Sequence, residues 1–156
     1  MASRTVYRPV QPLPFLVALT RLLVASPAVV AAVGGGVHVD VRGDTDDVTS
    51  RLPLVITQVV SAQDVAGSGT AYGAALLVRA RWVVVTQDTD QGAVLVDALT
   101  SELVESHLQG RAVTPEGTVS GVWVYSTGML GNETTTTDDV NYYQFLARMV
   151  VRQEGI

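Results

Sequence analysis

The stretch from Ala74 to Leu108 constrains the fold more than any other part of the chain. Leu76, Val78, Ala80, Trp82 and Val84 would share one face of an extended segment, with Leu77, Arg79, Arg81, Val83 and Val85 on the other, because successive side chains of a strand point to opposite sides. A strand Ala74–Gln87 with so much apolar surface on both faces is expected to be central in a sheet, or covered on its second face by a helix or a neighbouring subunit. Asp88-Thr89-Asp90 follows at once and supplies N-cap chemistry. The helix it opens, Gln91–Leu108, places Val96, Leu99 and Leu103 on one face and turns Asp97, Glu102 and Glu105 elsewhere. Gly110 ends it.

Other elements arrange themselves around this unit. Pro12 and Pro14 suit the first turn of a helix, where a missing N–H costs nothing. Phe15, Leu16, Leu19, Leu22 and Leu23 then recur at helical spacing, with Thr20 and Arg21 interrupting the apolar surface. Ser26-Pro27 reads as an N-cap and first residue of a second short helix to Val33, which Gly34-Gly35-Gly36 terminates. Val37, Val39 and Val41 alternate with His38 and Asp40 as a half-buried strand. Leu54–Val60 reads as a second strand, Ala112-Val113 and Val119–Tyr125 as two more around a turn at Pro115-Glu116-Gly117, and Val140–Arg152 as a long final strand. Arg42–Arg51, Ala66–Gly73 and the Gly- and Thr-rich Thr127–Asp139 carry no core-forming pattern and are expected to be loops. The resulting order, α-α-β-β-β-α-β-β-β, predicts a single α+β domain over residues 1–156. It would have a mixed, mostly antiparallel sheet, with an N-terminal helix and one central amphipathic helix packed on it.

Composition narrows the function. A chain of 156 residues that is 47% hydrophobic and only 16% charged falls well below the ~25% charged share of ordinary domains. Apolar surface must therefore be hidden internally or shared with partners. Absence of cysteine excludes thiol nucleophiles, disulfides and Cys-based zinc sites. The net charge of −5 has the wrong sign for a protein that grips nucleic acid through its phosphates, and all ten basic residues are scattered arginines. Leu13–Val33 is apolar enough to imitate a membrane span or signal peptide. Arg21 in its middle and the break at Pro27 argue instead for a buried helix.

No constellation of catalytic groups emerges. His38 and Asp40 share a strand face, but two ligands do not make a metal site, and His107 has no visible partner. Gly34-Gly35-Gly36 follows a helix and opens a strand, the reverse of a phosphate loop. Asp44, Asp46 and Asp47 lack the spacing and closing Glu of a calcium loop. Trp82, Trp123, Tyr142 and Tyr143 are core residues or a contact patch, with core the commoner fate of strand aromatics. The expectation is a non-enzymatic chain without cofactor or metal.

With the elements in order, the chain resembles the tail terminator (tail completion) proteins of long-tailed bacteriophages and their minor tail and head–tail joining relatives. The likeness runs through "LLVASPAVVAAVGGGVHVDV", "RLPLVITQVV", "LLVRARWVVVTQDTDQGAVLVDALTSELV" and "YYQFLARMVVR". It implies a virion protein, assembled in the host cytoplasm. Its subunits, usually six, would form a ring that caps the tail tube, docks with head-side connector proteins and leaves a channel for DNA without binding it specifically. The arm Met1–Gln11 and the loop Thr127–Asp139 are not fixed by the family pattern. Arg79, Arg81, Thr134, Thr135 and Asp138 are candidate subunit contacts. Asp44, Asp46 and Asp47 are candidates to face the lumen or a neighbouring ring, since an acidic wall does not hold phosphates. The alternatives are another head–tail connector or head-closure protein, a small-molecule-binding or enzymatic α+β domain, and an exported or membrane-linked protein.

Overall fold

The first two helices begin where proline and serine allow it. In a computed structural model that describes residues 11–34, 36–41, 52–64, 75–87, 89–108, 113–114, 117–134 and 139–152, α1 (Pro12–Val24) opens on proline. The Ser26 side chain caps α2 (Pro27–Val33) by accepting from the Val29 N–H at 3.4 Å. Gly34, at φ 85°, closes α2 in the left-handed conformation and donates its N–H to Val30 O, which glycine adopts without the Cβ penalty. Next come β1 (His38–Asp40), β2 (Leu54–Asp64), β3 (Ala75–Thr86), α3 (Thr89–Leu108), β4 (Val113–Thr114), β5 (Gly117–Thr134) and β6 (Asp139–Arg152).

The strands form one six-stranded sheet in the order β1-β2-β3-β6-β5-β4. Only β1 and β2 run parallel; every other pairing is antiparallel. The α+β, mostly antiparallel expectation therefore holds, and β3 lies inside the sheet with β2 on one side and β6 on the other.

Strand parity sorts the side chains into two layers. On the inner face, Val55, Val78, Ala80, Trp82, Val84, Phe145, Ala147, Met149 and Val151 are buried against Phe15, Leu16, Leu19 and Leu23 of α1, Val29 of α2, and Leu95, Leu99 and Leu103 of α3. Trp82 stacks on Phe145 with ring centroids 4.7 Å apart and planes 13° from parallel, a geometry that adds about 0.5–1.5 kcal/mol beyond area burial. On the outer face Leu54, Ile56, Val83, Val85 and Val140 make a second, smaller cluster, with Leu52 and Tyr142 against it.

One buried polar group ties the layers together. Thr20, read from the sequence as a break in the apolar surface of α1, is 1% exposed. Its hydroxyl donates to Leu16 O at 2.6 Å, accepts from Trp82 Nε1 at 2.8 Å and lies 3.0 Å from Thr57 Oγ1. A hydroxyl has one proton and two lone pairs. With the proton committed to the carbonyl, Thr57 must donate to Thr20, and Thr20 is then fully satisfied.

The expected loop Thr127–Asp139 is corrected. Residues through Thr134 are strand, paired with β6 down to Thr134 opposite Asp139; residues 135–138 lie outside the described residues. Along its length β5 carries an extra residue against β6 at three places, between Val119 and Gly121, Val124 and Ser126, and Met129 and Gly131. Each such bulge breaks the period-two pattern without ending the ladder. The expected loops Arg42–Arg51 and Ala66–Gly73 fall outside the described residues, as does the arm Met1–Gln11 apart from Gln11, whose carbonyl accepts from Phe15 N.

Candidate assembly surfaces

The outer sheet face changes character along its length. Beyond the small apolar cluster, strand register lines up Gln58, Arg81 and Leu146 in one row and Ser61, Arg79, Arg148 and Trp123 in the next. Four of the ten arginines, Arg79, Arg81, Arg148 and Arg152, therefore share this face by parity. Arg79 and Arg148 are direct cross-strand partners, and like charges so placed repel.

Each side chain has a distinct setting. Arg81 is half-buried and its Nε donates to Gln144 Oε1 at 2.9 Å, so it is anchored within its own sheet. Arg79 is exposed. The Arg148 guanidinium lies 5.0 Å from the ring centroid of Trp123, an attraction worth about 0.5–1 kcal/mol at an exposed site. Trp123 is 52% exposed and Tyr125, the extra residue of the second bulge, 53%. Arg79, Trp123, Tyr125 and Arg148 together line one open depression. The two tryptophans thus part company: Trp82 is core and Trp123 is surface.

On the opposite side of the sheet, α3 is acidic. Helix α3 buries Leu95, Val96, Leu99 and Leu103 toward the inner sheet face. Its other side presents Asp90, Asp97 and Glu105 together with the exposed Val94 and Val104, and the helix contains no Lys or Arg. Glu102 is half-buried and accepts from Ser106 Oγ at 3.2 Å.

The remaining sequence candidates are placed as follows. Arg79 and Arg81 come together on the outer face. Thr134 ends β5 opposite Asp139, while Thr135, Asp138, Asp44, Asp46 and Asp47 lie outside the described residues. His38 is exposed on β1, and Asp40 accepts the Val41 N–H at 2.7 Å. Among the described residues no group of three His, Asp or Glu side chains is placed to hold a metal ion. No described helix is by itself long and apolar enough to cross a membrane. The pair α1 and α2 passes that test only together and is bent by 63°. Sequence reasoning missed Arg148 and Tyr125. The signal for Arg148 was its parity on the final strand, but its juxtaposition with Arg79 follows only from the β3–β6 register.

No protein-family model matches the sequence, and neither does any curated protein sequence. Among solved structures, the chain is similar to one in the virion of a native gene transfer agent (GTA) particle. The TM-score is 0.53 at 17% identity, over 86% of this chain and 92% of that one. What the two share is the fold. The correspondence takes in nearly all of both chains, so it describes the whole α+β arrangement and not an isolated motif.

Proposed function

We propose that the chain is a non-enzymatic structural protein of a virion. In this reading it forms a ring of six subunits that caps the tail tube, ends tail elongation and joins the tube to the head-side connector, leaving a channel for DNA. The observation that carries the proposal is the near end-to-end likeness to a chain of a gene transfer agent virion. The surface supports it: the exposed aromatic area of Trp123 and Tyr125 is costly to leave in water, and with Arg79 beside it the face suits contact with another protein.

The test is the mass of the purified protein in solution, followed by electron microscopy with isolated tail tubes. A ring, or a cap on tube ends, is the expected result; a chain that stays monomeric and ignores tail tubes refutes the proposal. The lumen role of Asp44, Asp46 and Asp47 is tested separately by the triple change Asp44→Lys, Asp46→Lys, Asp47→Lys. Acidic walls let DNA pass and basic ones hold it, so such virions should eject DNA poorly. Normal ejection would rule the lumen role out.

A further inference from the structure

We infer that the two oppositely charged faces described above are the two halves of one subunit contact: the Arg79–Arg148–Trp123–Tyr125 surface of one copy seats the exposed stripe of α3 from the next. The inference rests on the self-associating ring proposed above and names the surfaces that build it.

Three observations carry it. First, the two surfaces differ in the sign of their charge. The outer sheet face collects four arginines, while α3, on the far side of the sheet, exposes Asp90, Asp97 and Glu105 and has no basic residue of the Lys or Arg type. Second, both surfaces mix charge with apolar area. Trp123 and Tyr125 accompany the arginines, and Val94 and Val104 accompany the carboxylates at helical spacing. Such a pairing buries aromatic against aliphatic surface while the charges complement one another. Third, the Arg79–Arg148 juxtaposition is locally unfavourable. A carboxylate delivered between the two guanidinium groups removes the repulsion, with the bidentate geometry that arginine provides. Local conflicts of this kind mark surfaces whose partner is not within the same chain.

The geometry has a topological consequence. A contact that joins the front of one subunit to the back of the next is heterologous. Repetition closes it into a ring when the rotation per subunit divides a full turn.

The experiment is a charge exchange followed by sedimentation velocity, with circular dichroism to confirm folding, since all four altered side chains are exposed. The wild-type chain is expected to self-associate. R79E/R148E and D97R/E105R are each expected to associate about 100-fold more weakly, because each sets like charges face to face, and to sediment near the 16.5 kDa monomer. Mixing the two variants, or combining all four changes in one chain, should restore assembly. A wild type that remains monomeric at millimolar concentration overturns both this contact and the ring. A wild type that assembles while both variants assemble equally well overturns only the contact. Arginines beside exposed aromatics also resemble a platform for single-stranded nucleic acid. If R79E/R148E assembles normally but loses binding to a labelled oligothymidine that the wild type retains, the surface serves nucleic acid and the inference fails.

Discussion

Replacing Thr20 by valine keeps the shape of the side chain and removes the hydroxyl that joins α1 to β2 and β3. The consequence follows from the proton assignment. Thr20 accepts from Trp82 Nε1 and from Thr57 and donates to Leu16 O. Thr20→Val therefore strands the Trp82 N–H, on a residue that is 0% exposed, and leaves the Thr57 hydroxyl without an acceptor. An orphaned buried donor costs about 1–3 kcal/mol. Losing the bond to Leu16 O costs little, since that carbonyl keeps its place in the helix ladder. The expected destabilisation is about 2–3 kcal/mol, a fall of roughly 4–12 °C in Tm for a domain of this size. Thr57→Val removes only a donor to Thr20, whose oxygen still accepts from Trp82, and should cost less than about 1 kcal/mol. The two changes should not add: once Thr20 is valine, Thr57→Val removes an orphan and is neutral or stabilising. Trp82→Phe should likewise be less costly in the Thr20→Val background. Urea titration followed by circular dichroism measures all five variants, three single and two double. A Thr20→Val protein within 0.5 kcal/mol of wild type, or a Thr57→Val protein as destabilised as Thr20→Val, would refute the assignment.

Other perturbations separate backbone effects from packing effects. Gly92→Ala should cost about 1–3 kcal/mol in chemical denaturation, because a Cβ there collides with the Tyr143 ring and comes 2.8 Å from Thr86 Oγ1. Gly34→Ala meets no atom within 4 Å, so its expected loss of about 1–2 kcal/mol arises from the left-handed backbone alone, and Gly34→Asn should recover part of it. Ser26→Ala removes the cap of α2 and should lower stability by about 0.5–1 kcal/mol, at the small end because the bond is long at 3.4 Å. Trp123→Ala should change stability by less than about 1 kcal/mol while weakening self-association measured by sedimentation.

What the sequence revealed depended on whether its local pattern survived folding. Alternation in β3 runs unbroken from Leu76 to Val85, and α3 begins at Thr89, two residues before the expected Gln91, so that unit was legible at nearly its true boundaries. The cap at Ser26 and the stop at Gly34 were legible because each acts within a few residues of itself. The far half of β5 was not. An extra residue at each bulge reverses the parity, and "STGMLGNET" then shows no single alternation over any useful length. Thr20 was misread for a different reason. A hydroxyl on an apolar helix face looks like an interruption until Thr57 and Trp82, 37 and 62 residues away, are brought to it. Residue type did not separate Trp82 from Trp123; their positions in the sheet did. Arg79 and Arg81 were singled out together, yet Arg81 is anchored to Gln144, while Arg79 has no such bond among the described residues and sits opposite Arg148.

The three bulges of β5 bear on how copies of this chain would meet in the proposed ring. Among the described residues, β4 covers only Gly117 and Thr118 of the outer margin of β5, leaving the rest of a long strand with a row of backbone donors and acceptors turned sideways. Such a margin ordinarily recruits a strand from another molecule. Here the extra residues at Ser120, Tyr125 and Leu130 divide it into runs of four residues, shorter than a usual strand of about 5–6 residues. An incoming chain would lose step at every bulge. Growth by zipping one sheet onto the next is thereby frustrated, and in the self-association proposed above it is the flat sides that would meet, where side chains and not backbone decide who fits.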